Sequence, residues 1–471
     1  MSSSSGAVGH IPLAVRSAAP AAGLLSGSGR SHQSLVTFTD VRVVDPAGGR
    51  DGAANVIIEG DRVASVGRES RGLRIDASGL VLAPGLVDLH VHLREPGGED
   101  AETVASGTTA AAAGGFTAVC PMANTQPVAD HAGVIEQVLR LAREAAMCDV
   151  YPVGAITRGL AGAELGELGA MAAVGVRCFS DDGHPVQSAH VMRQALAYAR
   201  TWDAIICNHA EERTLTGDAQ MHEGIQSDLL GLTGWPREAE ELMVARDLIL
   251  ARGLGARIHV PHVSTAETVA LIRAAKARGT RVTAEATPHH FTLTDQQVAS
   301  YDPVYKVNPP LRVKTDVEAV RAGLADGTID AIATDHAPHP PEDKEREWSA
   351  APCGMLGLET ALAVTITELV RPGVLTLPDA IAALSTRPAR SRDIVGHGGP
   401  IAEGTPANLV LFDPEERWTV DPGRSHSRSR NTPFAGRELW GRVHHTLLRG
   451  RFTVRDGESV TPGDDDEIGD A

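Results

Sequence analysis

The sequence is poor in aromatic residues, in cysteine and in long apolar runs. Phe, Trp and Tyr make up only 3% of a chain that is 42% hydrophobic, so we expect a core built from small aliphatic side chains. No apolar run reaches the roughly eighteen residues that a membrane-spanning helix needs. The five cysteines are an odd number and include no CxxC pair. This pattern argues against a disulfide framework or a zinc–thiolate site and indicates the reducing cytoplasm.

Positive charge is also scarce. Lys and Arg number 43 against 60 Asp and Glu, which gives a formal net charge of −17. Nucleic acids and anionic membranes are polyanions, so this charge excludes both as expected partners and leaves a small-molecule substrate. Lysine is especially rare and occurs only at Lys276, Lys306, Lys314 and Lys344.

The two ends of the chain differ from the rest in composition. Residues 1–34 are rich in Ser, Gly and Ala and contain no acid, so we predict a disordered extension, with a transit segment as the less favoured alternative. Residues 457–471 are acidic and are predicted to form a disordered tail.

Short alternating apolar and polar runs lie near both ends of the remaining chain. They occur over residues 35–83 and return over residues 393–456, with Gly, Asp-Arg and Arg-Asp turns between them. Alternation of this kind is typical of antiparallel strands. We therefore predict one small β-sandwich module that both terminal regions build together.

The middle, residues 84–392, has a different rhythm. Eight apolar strand candidates alternate with stretches of helical periodicity, which is the pattern of a (β/α)8 TIM-type barrel. A doubly wound open sheet is the alternative, but no GxGxxG follows any of the strands. The candidates are VDLHVHL, FTAVCPM, DVYPVGA, GVRCFSD, AIICNHA, RIHVPHV, RVTAEAT and IDAIATDH.

Five of these strands end in an imidazole or a carboxylate. Functional residues of such barrels lie where strands end and the following loops begin. A lone strand-end Asp is usually a helix cap, and a lone His is usually a satisfied polar residue. Five coincidences instead favour a Zn²⁺ site. The candidates, in strand order, are His90, His92 and Arg94; Asp181 and Asp182; His209 and Glu211; His259 and His262; and Asp335 and His336.

Several motifs together resemble those of the amidohydrolase superfamily and, within it, the bacterial dihydroorotases of the long-chain type. The resemblance covers about residues 37–454. It implies a metal-dependent hydrolase with two Zn²⁺ per chain. The implied reaction is the reversible cyclisation of N-carbamoyl-L-aspartate to L-dihydroorotate, in pyrimidine biosynthesis. The motifs are PGLVDLHVHLREPG, PMANTQPVAD, FSDDG, NHAEE, HVPHVST, TPHHF, NPPLR, ATDHAPH and GLET.

The resemblance also implies a ligand set. Asp182 lies 27 residues before His209, the spacing expected of the bridging acid, and Asp181 is the alternative. His259, His289 and His290 are interpreted as packing residues or supports of the ligands. The implied ligands are His90, His92 and Asp335 on the first zinc, His209 and His262 on the second, and Asp182 on both.

In the implied mechanism a zinc-bridging hydroxide attacks the ring carbonyl, with Asp335 as general base and then general acid. Hydantoinases, allantoinases and animal dihydroorotase domains bridge their metals with a carboxylated lysine on strand four. No lysine lies near that strand here, which favours the aspartate-bridged bacterial dihydroorotases.

A substrate carboxylate needs a cation, and the planar guanidinium of Arg94 matches its geometry. Asn124 and Asn308 could instead serve in turns or caps, and Arg312 is expected to organise its loop. The resemblance implies further contacts from the side chains of His92, Asn124, Asn308 and His339 and from backbone groups of Cys353 and Gly354.

Three questions stay open at this level. The loop over residues 338–353 could be a lid over the site or a solvated loop without a gating role. The activity could be that of another cyclic amidohydrolase, hydantoinase-like or allantoinase-like. The chain could also be a silent dihydroorotase-like partner of aspartate transcarbamoylase, although all six ligand positions are filled. A homo-oligomer or a complex with that enzyme is compatible with an active site as well.

Overall fold

The strands of the computed structural model belong to a central barrel, to a module built from both ends of the described chain, or to a short pair between barrel strands. The structure describes residues 35–461, so the predictions for residues 1–34 and 462–471 lie outside it. The strands are β1 Leu35–Asp45, β2 Arg50–Glu59, β3 Arg62–Gly67, β4 Leu73–Asp76, β5 Val81–Pro84, β6 Leu86–Val91, β7 Phe116–Pro121, β8 Asp149–Val150, β9 Cys178–Phe179, β10 Ile205–Cys207, β11 Met221–His222, β12 Gly234–Trp235, β13 Arg257–Val260, β14 Val282–Ala286, β15 Ala331–Ile332, β16 Leu409–Thr419, β17 Glu438–Leu448, β18 Arg451–Arg455 and β19 Glu458–Ser459.

Helices lie almost entirely between the barrel strands. They are α1 Val104–Ala113, α2 Ala132–Ala145, α3 Leu168–Ala173, α4 Ala189–Ala199, α5 Arg213–Thr216, α6 Ile225–Leu230, α7 Glu238–Leu254, α8 Ala266–Ala277, α9 Lys314–Ala325, α10 Pro341–Lys344, α11 Ala361–Thr365, α12 Leu377–Ile381 and α13 Arg387–Ser391. Two π-helical turns, Ile366–Val370 and Ala382–Thr386, continue α11 and α12. None of the helices between residues 35 and 461 has the length and apolar character that a membrane crossing requires.

Eight parallel strands form the barrel: β6, β7, β8, β9, β10, β13, β14 and β15. They hydrogen-bond in two arcs, β6 to β8 and β9 to β15. Parallel bridges between Gly154 and Phe179 and between Val91 and His336 join the arcs at both ends. The eight strand candidates of the sequence coincide with these eight strands, so the predicted TIM-type barrel is confirmed.

The helix after β7 shows why the predicted helical stretches fold as they do. The side chain of His131 accepts a hydrogen bond from the N–H of Gly133 and begins α2. The helix ends at Ala146, whose backbone is left-handed. Its apolar residues recur at helical spacing, so they form one face that packs on the barrel. The buried residues of that face are Val134, Ile135, Val138, Leu139 and Ala142.

The module at the chain ends is one continuous nine-stranded sheet. Its strands follow the order β19, β18, β17, β16, β5, β1, β2 and β3, with β4 beside β1. The rings of Phe38 in β1 and Phe452 in β18 lie 6.2 Å apart although three strands separate their own strands. Flat strands are about 4.8 Å apart, so the sheet folds over itself. This agrees with the predicted β module from both termini and gives it sandwich-like packing.

One predicted boundary shifts. The disordered tail was expected to begin at residue 457, but Glu458 and Ser459 form β19 and pair with β18. The Gly457 turn returns the chain onto β18, and backbone pairing then outweighs the acidic composition of the segment.

Candidate metal and active site

The C-terminal ends of five barrel strands bring six predicted ligands into one buried cluster. None of the six residues is more than 6% exposed. Ionisable groups buried this deeply are costly unless they are paired or bind a metal. The residues are His90, His92, Asp182, His209, His262 and Asp335.

His90, His92 and Asp335 form the first group. Oδ1 of Asp335 lies 3.1 Å from Nε2 of His92 and 3.4 Å from Nε2 of His90. The ligand atoms of the three residues lie within 4.8 Å of one another, close enough for a metal ion. Burial alone would raise the pKa of Asp335, but the charge of His90 and the hydrogen bond from His92 lower it, so the carboxylate is ionised.

The second group surrounds Asp182. Its Oδ1 lies 3.3 Å from Nε2 of His90, 3.5 Å from Nδ1 of His209 and 3.6 Å from Nε2 of His262. Its other oxygen lies 3.4 Å from Nε2 of His92. Asp182 therefore faces histidines of both groups, as a bridging carboxylate must.

The buried polar atoms at the centre fit a metal. Nε2 of His90 and Oδ1 of Asp182 are fully buried and have no hydrogen-bond partner among residues 35–461. Nδ1 of His209 and Nε2 of His262 face each other at 3.0 Å. Imidazole nitrogens and carboxylates gathered in this way are the donor set that Zn²⁺ prefers.

The neighbouring acid, Asp181, is occupied elsewhere. Its carboxylate accepts hydrogen bonds from the N–H groups of Ile156 and Thr157 and from the Thr157 hydroxyl. Burial raises its pKa to about 6, although the Thr157 contacts lower it. The geometry therefore favours Asp182 over Asp181 as the bridging acid.

Backbone strain accompanies the site. Arg94, His262 and Asp335 have φ angles of 59°, 29° and 48°, in the region that non-glycine residues seldom adopt. Such conformations persist where the surrounding structure holds them, often at functional sites.

Two acids support the ligands: Glu285, which the sequence analysis missed, and Glu211, which it named among the strand-end candidates. Nδ1 of His90 donates to Oε1 of Glu285 at 2.7 Å, and the other oxygen of Glu285 contacts His259. Glu211 lies 3.5 Å from Nε2 of His209. A charged residue inside the apolar strand RVTAEAT was the available signal for Glu285. His259 is thus a support, as expected.

The two asparagines hydrogen-bond to a predicted ligand and to the acid beside another one. Nδ1 of His92 donates to Oδ1 of Asn124 at 2.9 Å, and Nδ2 of Asn308 donates to Glu211 at 3.1 Å. Their hydrogen bonds therefore go to residues of the site and not to a turn or a helix cap, the alternative that the sequence left open.

Arg94 and His339 lie together beside the cluster. Nε of Arg94 donates to the carbonyl of Pro338 at 3.1 Å, and Nε2 of His339 donates to the carbonyl of Cys353 at 2.8 Å. Burial and the charge of Arg94 lower the pKa of His339 to about 3, so its imidazole is neutral.

The backbone of Gly354 is engaged within the protein. Its N–H donates to the carbonyl of Lys306 at 2.9 Å, so it is not free to donate to a ligand. Its φ is 145°, and a side chain there would meet Nε2 of His339 at 2.7 Å. Only glycine fits this position, which forms part of the wall beside His339.

The remaining histidines and Arg312 have structural surroundings. His290 contacts the Thr287 hydroxyl and the Pro309 carbonyl. His289 is buried, which lowers its pKa to about 4. Arg312 donates to Ser264 and to the Trp235 carbonyl, as expected of a residue that organises its loop.

The loop over residues 338–353 is packed down. Nζ of Lys344 donates to the carbonyls of Pro303 and Pro352, both at 2.8 Å. Nζ of Lys306 donates to the carbonyl of Trp348 at 2.7 Å, and the Trp348 ring is 5% exposed. Lys344 and Trp348 therefore anchor the loop, whereas Glu345, Arg346 and Glu347 between them are exposed. A separate cavity of about 520 Å³ lies behind His336, on the side of the module.

A closed (β/α)8 barrel with histidine and aspartate donors at its C-terminal end defines a metal-dependent amidohydrolase. The solved structures most like it include the L-hydantoinase (dihydropyrimidinase) of Arthrobacter aurescens, with a TM-score of 0.82 and 26% identity over 90% of this chain and 97% of that one. The dihydropyrimidinase of Brevibacillus agri gives a TM-score of 0.80 and 25% identity over 91% of this chain and 97% of that one.

Sequence comparison places the chain more narrowly. Residues 79–268 match the model of the "Dihydro-orotase-like" family. The dihydroorotase of Streptomyces coelicolor is 56% identical over 409 residues, which cover 86% of this chain and 96% of that protein. The dihydroorotase of Mycobacterium leprae is 50% identical over 411 residues, with the same coverage. The chain belongs to the dihydroorotase family.

Proposed function

We propose that the chain catalyses the reversible cyclisation of N-carbamoyl-L-aspartate to L-dihydroorotate at the buried cluster, with two Zn²⁺ per chain. One observation carries the choice among cyclic amidohydrolases. Asp182, and not a lysine, faces both ligand groups, while Arg94 stands beside them. The high identity to dihydroorotases supports the same substrate.

His90, His92 and Asp335 would hold one zinc, His209 and His262 the other, and Asp182 both. When bound, the metals supply a water of lowered pKa and polarise the carbonyl that is attacked.

The chain's own residues orient the substrate and move its protons. The Arg94 guanidinium would bind the substrate carboxylate as a fork, beside the neutral imidazole of His339. Asn124, beside His92, and Asn308, beside Glu211, would complete the contacts, with Cys353 and Gly354 forming the adjoining wall. Asp335, ionised and 6% exposed, would take the proton from the attacking water and return it to the amide nitrogen.

Cellular setting and assembly are part of the same proposal. The five cysteines are free thiols, four of them buried, which supports a reducing cytoplasm. Ile225 and Leu229 on α6 are 78% and 74% exposed. An apolar surface of this kind supports a homo-oligomer or a complex with aspartate transcarbamoylase.

The proposal is tested by measuring zinc per chain in the purified protein and by assaying ring opening of dihydroorotate, hydantoin and allantoin side by side. We expect about two zinc per chain and activity on dihydroorotate alone. Activity on hydantoin or allantoin without activity on dihydroorotate would overturn the substrate, and a protein active without bound metal would overturn the centre.

A further inference from the structure

Two buried glutamates lie behind the cluster. Each lies beside a histidine of a different ligand group. Glu285 contacts Nδ1 of His90 at 2.7 Å, and Glu211 lies 3.5 Å from Nε2 of His209. In both cases the contact is on the ring nitrogen that faces away from Asp182. The two acids are 0% and 7% exposed.

A carboxylate in this position fixes the imidazole. A histidine that binds a metal through one nitrogen carries its proton on the other, and a carboxylate that accepts this proton sets the tautomer and the ring orientation. Loss of such a partner typically costs about 10- to 100-fold in metal affinity or activity.

The hydrogen-bond network around Glu285 consists of residues of the barrel strands and includes no predicted substrate contact. Its second oxygen accepts from Nε2 of His259 at 2.9 Å, and Nδ1 of His259 contacts the Thr283 hydroxyl at 2.8 Å. Both neighbours lie inside the barrel, on β13 and β14. Glu285 therefore touches the metal cluster through His90 and touches none of the predicted substrate contacts.

Glu211 has a second connection. The oxygen that lies 3.5 Å from Nε2 of His209 accepts a hydrogen bond from Nδ2 of Asn308 at 3.1 Å, and the other oxygen accepts from the Thr216 hydroxyl at 2.6 Å. Asn308 is a predicted substrate contact. One carboxylate oxygen thus joins a metal-binding histidine to a substrate-binding amide.

We propose that Glu285 and Glu211 are positioning residues with different reach: Glu285 orients His90 for metal binding alone, whereas Glu211 orients both His209 and Asn308 and so couples metal binding to substrate binding. The inference rests on the proposed function. It gives the two acids different roles: Glu285 affects metal binding, and Glu211 affects both metal binding and substrate binding.

The test compares Glu285→Gln with Glu211→Gln, which keep the side-chain size and remove the charge. Zinc release to a chelator is measured without substrate, and KM and kcat are measured at saturating zinc. For Glu285→Gln we expect zinc release about 10- to 100-fold faster with KM within about 2-fold of the parent. For Glu211→Gln, whose histidine contact is longer, we expect a smaller change in zinc release but a KM raised about 10-fold.

Two controls separate positioning from general loss of structure. Asp149→Asn removes another carboxylate that contacts a histidine, His397, at the opposite end of the barrel from the cluster, and should leave zinc release unchanged. Combining Glu211→Gln with Asn308→Ala should raise KM no further than Asn308→Ala alone, because both changes break the same link. If Glu285→Gln does not fold, Glu285→Asp keeps the charge but withdraws it from His90 and should still release zinc faster.

The outcomes are distinguishable. Zinc release at the parental rate in both glutamine variants would overturn the positioning role while leaving the proposed function intact. A KM raised equally in both variants, or in neither, would overturn the division between them. A parent protein that binds no zinc would overturn the proposed centre first, and this inference with it.

Discussion

The rim of the barrel, formed by the C-terminal ends of its strands, and the module at the chain ends differ in the kind of side chain that they bury. The rim gathers buried polar atoms without partners, such as Nε2 of His90 and Oδ1 of Asp182, and holds three residues with left-handed backbone. The module gathers apolar side chains around Phe38, Phe452 and Leu447. The arrangement of the rim thus serves binding and lowers the stability of the fold. The module stabilises the fold and contributes no residue to the candidate site. Substitutions in the two regions should separate activity from stability.

The largest expected effect is that of Asp335→Asn at the rim. The amide cannot take up a proton, so we expect kcat to fall about 10²- to 10⁴-fold while the melting temperature changes little. Asp330→Asn is the matched control, because Asp330 lies at the opposite end of β15, where it contacts Lys276. Parental turnover in Asp335→Asn, or an equal loss in Asp330→Asn, would remove the assigned role.

The module should show the reverse behaviour. Phe38 is 0% exposed and has edge contact with Phe452, so Phe38→Ala should lower the free energy of unfolding by about 3–5 kcal/mol. The folded fraction should keep its kcat and zinc content. Leu73→Ala in the same module is the control, since Leu73 is 45% exposed and should change stability by less than about 0.5 kcal/mol. Denaturant titrations and parallel activity assays test this prediction. A lower kcat per folded molecule in Phe38→Ala would contradict the proposed separation of stability from activity.

The barrel could be predicted from the sequence because its information is local. Each strand is a short apolar run, and helical periodicity such as that of α2 lies between strands. The convergence of His90, Asp182 and Asp335 followed from the rule that strand ends meet at one face. The continuous sheet of the module could not be derived in the same way, since the pairing of β5 with β16 joins residues more than 300 positions apart.

The supports of the site were harder to predict. Glu285 contacts His90 and His259, which lie on other strands, so no spacing in the sequence reveals its role. Glu211, two residues after His209, was a candidate from the sequence, but its hydrogen bond with Asn308 is visible only in the structure. The hydrogen bond from the N–H of Gly354 to the carbonyl of Lys306 is likewise a tertiary contact that the sequence does not reveal. The Glu359 of the GLET motif carried the resemblance, but its role is visible only in the structure.

The smallest expected effect concerns the junction of the two regions. Glu359, from the loop after β15, accepts hydrogen bonds from the N–H and from Nδ1 of His426, both at 3.0 Å. The hydrogen bond to Glu359 raises the pKa of His426, although burial opposes it. A histidine whose pKa is raised on folding stabilises the protein fully below its unfolded pKa of about 6.5 and loses that contribution as the pH rises through the folded value.

We therefore expect the stability difference between the parent and His426→Gln to be greatest near pH 6 and to shrink toward pH 9, with a maximum of about 1 kcal/mol for a single partly exposed pair. Denaturant titrations across this range give the measurement. The stability difference between the parent and Glu359→Gln should follow the same trend, because this change removes the charged partner of His426. A difference that grows with pH would reverse the sign of the linkage, and a constant difference would mean that the neutral hydrogen bond alone holds the barrel to the C-terminal segment.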